Sequence, residues 1–123
     1  MKKDVLVFIK HIRDAIETIN RFVNGVSQKT FQADKEKQYA VMRAIEIIGE
    51  AAKNISPEFR KKYADIPWKE MVGMRDKLIH QYFGVNLERV WLVVKNNLPL
   101  LKKRIDEILK AEPRTRTSEP GEQ

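Results

Sequence analysis

The sequence predicts an all-α protein, an antiparallel up-and-down bundle of four to five helices. Two observations carry that expectation. Apolar residues recur at steps of three and four along most of the 123-residue chain, the period of helices that bury one face. Sustained apolar/polar alternation, the strand pattern, is missing; its nearest approach, Leu92-Val93-Val94, is short and sits inside a helical phase.

The elements follow in order. Val5, Phe8, Ile9, Ile12, Ile16, Ile19 and Val23 make one apolar stripe about five turns long, and Asn24-Gly25 ends it with a pair that tolerates left-handed backbone. A polar stretch from Ser27 to Lys29 leads to Asp34, the expected cap of the second long helix. On that helix Val41, Ile45, Ile48, Ala52 and Ile55 fall within about 80° of each other at about 100° per residue. Arg43, Glu46 and Glu50 gather on the opposite side, with Tyr39 and Ile47 near them. Gly49, Ala51 and Ala52 are small enough to let another backbone come close. Ser56-Pro57-Glu58 reads as a stop followed by a fresh cap and a proline at the first helical position, which gives a short helix to about Tyr63. A fourth helix starts near Pro67 and runs to about Phe83, where Gly84 closes it. Asn86 caps the last helix, whose stripe of Val90, Val94, Leu98, Leu101, Ile105 and Ile108 keeps its phase across Pro99; one bent helix is expected rather than two. The helical domain is expected over residues 1–110. From Ala111 onward the polar tail, 111–123, holds Ala111 as its one apolar residue and is expected to be disordered.

Composition narrows the function. With 24 Lys+Arg against 17 Asp+Glu the chain carries a formal +7, a balance that favours a polyanion or an acidic partner. The absence of cysteine excludes a disulfide framework, a thiolate zinc site and a cysteine nucleophile, and suits a reducing cytoplasm. His11 and His80, the two histidines, are too few for a multi-histidine site within one chain. The glycines are isolated, so no phosphate-cradling loop exists. Glu46 and Glu50 have the i,i+4 spacing that can hold a divalent metal, but they lack the companion histidine of di-metal bundles. They read as a face salt-bridged to Arg43, and neither a metal nor a cofactor is expected. Lys10, His11 and Arg13 cut the first apolar run far short of the ~20 residues a membrane span needs, so a cytoplasmic protein with no membrane contact is expected.

The chemistry concentrates in Arg75-Asp76-Lys77-Leu78-Ile79-His80-Gln81-Tyr82. With Arg75 at zero, Trp68, Met71, Val72, Leu78, Ile79, Tyr82 and Phe83 lie within about 80° of it. A cation in the middle of an apolar stripe must be paired or must face a cavity or interface, since leaving it buried alone costs several kcal/mol. Pairing with Glu46 or Glu50, or stacking on a ring, is one reading; anion binding is the other. His80 lies about 140° from Arg75. It reads either as a histidine stabilised at a helix C-terminus or as half of a joint site, which a second copy across a two-fold axis would bring together. Tyr82, about 20° from Arg75 and two turns on, is either a core tyrosine or a neighbour of the same site.

At these residues the chain resembles the HepT-like family of HEPN domains, small all-helical ribonuclease toxins encoded beside a minimal nucleotidyltransferase antitoxin. The family motif is Arg, four residues, His, one residue, Tyr, and Arg75, His80 and Tyr82 match it. The context agrees: Arg43 through Ala52 on the second long helix, Ile66-Pro67-Trp68, Gly73-Met74-Arg75, then Tyr82 through Asn86 and Trp91. The likeness spans about residues 4–109. Asp76 departs from it, standing where the family commonly carries Asn.

The resemblance implies a two-fold homodimer whose cleft gathers Arg75 and His80 of both copies, cutting RNA without metal. Arg75 would bind the scissile phosphate and its five-coordinate transition state. His80 would serve as general base on the ribose 2′-hydroxyl or acid toward the leaving oxygen. The internal 2′-hydroxyl nucleophile explains the choice of RNA over DNA. It also implies silencing by transfer of AMP to Tyr82 from the nucleotidyltransferase. Arg43 is a candidate for RNA contact, Glu46 and Glu50 for orienting Arg75, and Asp76 is a further candidate supporting residue. The rival expectation is a non-catalytic helical module that binds a nucleotide or docks the nucleotidyltransferase. A lone protomer with Arg75 locked onto acidic neighbours and His80 diverging from it would argue against the nuclease.

Overall fold

The computed structural model describes residues 4–80 and 86–112, with backbone only for 78–80. Among the described residues every regular element is helical. Their order is α1 (Val5–Val23), α2 (Gln28–Ala33), α3 (Lys35–Lys53), α4 (Pro57–Lys62), α5 (Trp68–His80), α6 (Leu87–Leu92), a π-helical turn (Val93–Asn97) and α7 (Leu98–Ala111). The all-α bundle expected from the sequence is what forms. Its long members are α1, α3, α5 and the α6–π–α7 run, with α2 and α4 as short connectors.

Local chemistry sets the boundaries. Asp4, Ser27, Asp34, Ser56 and Asn86 each accept a backbone N–H of the helix they open, satisfying donors that the first turn leaves orphaned. Gly25 follows α1 with φ of 72°, a left-handed conformation that glycine adopts without penalty. The polar stretch at Ser27–Lys29 proves to be the start of α2, a helix the apolar period did not announce. It is held by one fully buried ring, Phe31, and by the buried Gln38 amide, which donates to the carbonyl oxygens of Phe31 and Gln32 at 2.9 and 3.0 Å.

The final helix does continue across Pro99, but through a wide turn rather than a bend alone. Leu98 donates its N–H to the Val93 carbonyl, five residues back. A proline ring clashes with the carbonyl four residues before it, and the loosened turn makes room for it. The wide turn also returns Val90, Val94 and Leu98 to one face although they are spaced by four and four; all three are buried with Leu101, Ile105 and Ile108.

α3 is the central element. It packs along α1 on one side and α5 on the other, and α7 closes on α1. The core joins Ile9, Ile12, Ile16 and Ile19 of α1 to Val41, Ile45, Ile48 and Ala52 of α3, Phe59, Trp68, Met71 and the α7 stripe. Val5 and Phe8, which share the α1 period, are only partly buried at its edge. No helix among the described residues is long and apolar enough to cross a membrane.

The end of α7 is tied down by Glu112, whose carboxylate pairs with Lys62 at 2.8 Å and accepts the Tyr63 hydroxyl. The rest of the polar tail, 113–123, lies outside the described residues. Those two hydrogen bonds, Lys62 first and Tyr63 second, hold the Glu112 carboxyl below its ordinary 4.5. A carboxyl whose folded value is depressed stabilises the fold above its unfolded value and loses that contribution as pH falls through the folded one. Glu112→Gln is therefore expected to lower stability by about 1 kcal/mol near neutral pH. The deficit should shrink below pH 4.5, as read by urea melts of both proteins across that range; an equal deficit at pH 7 and pH 3 would contradict it.

Candidate functional site

Gly49 positions the site. A Cβ added there would lie 2.2 Å from the Arg75 Cβ and 2.8 Å from the Met71 carbonyl oxygen, so α3 and α5 meet at the one residue of α3 that has no side chain to keep them apart. The Arg75 stem lies in this seam, and its head reaches outward, leaving the side chain 22% exposed. The apolar surroundings of Arg75 and its charge are thereby reconciled: the methylenes are covered and the guanidinium emerges.

The head is paired. Nη2 of Arg75 lies 2.8 Å from Glu50 Oε1 and Nη1 lies 3.0 Å from Asp76 Oδ1. The Asp76 hydrogen bond, joined by the charge of Glu50, holds the guanidinium pKa above its ordinary value. Of the two carboxylates expected as partners, Glu50 takes Arg75, whereas Glu46 pairs with Arg43 at 3.3 Å, an i,i+3 contact on the α3 surface. Asp76 was a candidate supporting residue, but not the expected ion-pair partner, because adjacent residues on a helix do not face each other. It succeeds because the guanidinium curls back along its own helix.

Arg75 opens onto a groove of about 410 Å³. α3 supplies its floor with Arg43, Glu46, Ile47, Glu50, Ala51 and Asn54, while Phe8 and His11 of α1 form the wall opposite Arg75 of α5. Four candidates from the sequence, Arg43, Glu46, Glu50 and Arg75, thus converge on one cavity. Phe8 and His11 were not singled out; the signal was their i,i+3 spacing, which stacks them on one face of α1. Their rings meet edge to face, with centroids 6.2 Å apart and planes at 89°.

His80 ends α5 as described, but its side chain lies outside the described residues, and so does Tyr82. Arg75 is thus paired with acidic neighbours, one of the two features expected to argue against a nuclease; the direction of His80, the other, falls outside the described residues. Among the described residues no group of three or more His, Asp or Glu side chains is placed to hold a metal ion.

A second groove, about 630 Å³, lies on the other side of α5, lined by Met71 and Met74 together with Ile45 and Ile48 of α3 and by Leu92, Leu100 and Leu101. It is mostly aliphatic. Leu92 and Leu100 at its edge are 49% and 70% exposed.

Comparison with known proteins places these features in a family. The ribonuclease HepT-like family matches residues 12–108. A probable ribonuclease HepT of Thermococcus cleftensis is 44% identical over 110 residues, covering 89% of this chain and all of that protein. Two proteins of Methanocaldococcus jannaschii are also similar over 89% of this chain. One, named a putative RNase, is 46% identical with 90% of its length covered. The other, named a gamma-glutamylcyclotransferase and putative RNase, is 49% identical, and the match spans 49% of it. No solved structure matches the chain.

Proposed function

The chain belongs to the ribonuclease HepT-like family, and from that premise we propose that it is a metal-independent RNA endonuclease acting as the toxin of a toxin–antitoxin pair. Arg75 and His80 are the catalytic residues of this reading. The observation that carries it is the coincidence, in a chain of this family, of the Arg75-x4-His80-x-Tyr82 spacing with an Arg75 that is 22% exposed and opens onto a groove of about 410 Å³.

The chemistry runs through the RNA itself. His80 takes the proton of the ribose 2′-hydroxyl, whose oxygen attacks the adjacent phosphorus, and the 5′-oxygen leaves with a proton from the second imidazole of a dimer. The product strand ends in a 2′,3′-cyclic phosphate. Arg75 binds the non-bridging oxygens and gains strength as their charge rises in the five-coordinate transition state. The two carboxylates on Arg75 do not bar this. Glu50 and Asp76 are 57% and 48% exposed, and exposed ion pairs contribute only about 0–1 kcal/mol, so a phosphate that accepts two guanidinium bonds displaces them. A homodimer completes the site in this reading.

The partner is a minimal nucleotidyltransferase antitoxin, which silences the toxin by transferring AMP to Tyr82. With the motif spacing two turns on from Arg75, the phosphate of that adduct would compete with RNA for the cation. His80→Ala is expected to abolish RNA cleavage in EDTA while helix content and oligomeric state hold. Full activity of that variant rejects the mechanism.

The paired state of Arg75 favours one rival, a non-catalytic module that presents a nucleotide to the nucleotidyltransferase. That reading predicts tight partner binding and no cleavage of any RNA by highly purified protein.

A further inference from the structure

The groove beside Arg75 is divided along its length. One part is charged: Arg75 and Arg43, each with a carboxylate partner. The other is apolar and aromatic: the Ile47 and Ala51 side chains of the floor and the Phe8–His11 pair on the α1 wall. Ile47 stands 36% exposed, an aliphatic side chain left at the surface at the bottom of a concave site. Phe8 belongs by period to the α1 stripe yet is only partly buried at the margin of the core, where it lines the groove. A single-stranded nucleotide has the same division, an anionic phosphate on one side and a flat base on the other, and unpaired RNA bases are bound by stacking on aromatic side chains.

We propose that Phe8 and His11, with Ile47 beneath them, form a nucleobase subsite for single-stranded RNA, which seats the base next to the phosphate held by Arg75. This rests on the ribonuclease reading and adds a substrate-positioning role on α1, outside the Arg75–Tyr82 segment. The base stacks against the His11 imidazole and the Phe8 edge, and Ile47 and Ala51 close the space below it. Because every base presents a flat face, the subsite selects for unstacked strands over duplex more than for one sequence.

The test uses the full-length protein and a fluorescent single-stranded 2′-O-methyl RNA, which binds but offers no nucleophile for cleavage. His11→Ala is expected to raise its Kd about 5- to 100-fold, the range for loss of a stacking contact. Phe8→Leu, which keeps most of the packing volume, should act in the same direction. An otherwise identical strand with abasic residues should bind wild type and His11→Ala alike, because it brings phosphates but no base. Unchanged Kd in both variants overturns the subsite, and so does a His11→Ala deficit that persists with the abasic strand. Cleavage is scored separately: a wild type that cuts RNA while His11→Ala binds and cuts equally well rejects the subsite and leaves the nuclease standing. A wild type that cuts no RNA rejects the nuclease, and the 2′-O-methyl titration still decides the subsite.

Discussion

Arg75→Ala is expected to lower RNA cleavage by about a hundredfold to a thousandfold, the effect of removing a donor aimed at developing negative charge. The loss should fall mainly on kcat, since the interaction strengthens in the transition state. Arg75→Lys is the sharper test. It keeps the charge, the aliphatic stem over Gly49 and an ion pair to Glu50, but it loses the planar fork that grips two phosphate oxygens at once. If phosphate binding is the role of Arg75, lysine should recover at most a small part of the activity. If the guanidinium serves only to hold α3 and α5 together through Glu50, lysine should restore function along with stability. Thermal melts separate the two cases. Exposed pairs of this kind contribute about 0–1 kcal/mol, so both variants should stay folded, and a folded Arg75→Lys with wild-type kcat would remove Arg75 from the chemistry.

The same residues show what the sequence discloses and what it withholds. The helical period located α1, α3, α5 and the α7 stripe because burial of one face dominates their energetics, and Gly49 was legible, together with Ala51 and Ala52, as a small residue that lets another backbone come close. α2 was not legible: six residues with one buried ring, Phe31, leave no period to read, and its stability comes from Gln38 across the turn. The wide turn before Pro99 was hidden in the spacing of Val90, Val94 and Leu98, which drifts on a regular helix and is straight only on a loosened one. At the site, motif spacing gave Arg75, and face counting gave Arg43, Glu46 and Glu50 a common side. Which carboxylate each cation takes depended on the depth of the α3–α5 seam, a tertiary quantity. Phe8 and His11 escaped because their importance comes from facing another helix across a groove, and α1 read alone is an ordinary amphipathic stripe.

Gly49→Ala is expected to have a structural effect out of proportion to a single methyl group. In an ordinary helix interior the change would stabilise by roughly 0.5–1 kcal/mol, because alanine restricts the unfolded chain. Here the new Cβ meets the Arg75 Cβ at 2.2 Å and the Met71 carbonyl oxygen at 2.8 Å. Neither is the flexible end of a side chain, so α5 as a body must move off α3. Overpacking of this kind costs about 1–3 kcal/mol, enough to reverse the propensity gain and lower the melting temperature. The displaced element is the one that carries Arg75, and a misplacement of about 1 Å can cost a hundredfold in rate; cleavage should therefore fall further than stability alone explains. Gly73→Ala is the matched control. It lies two residues from Arg75 on the same helix, and a Cβ there meets nothing within 4 Å among the described residues, so it should be neutral or stabilising and leave cleavage intact. Paired melts and cleavage rates of the two variants decide the matter: a Gly49→Ala protein that melts at or above the parent, with its activity retained, would mean that the seam is loose and that Arg75 is not held by it.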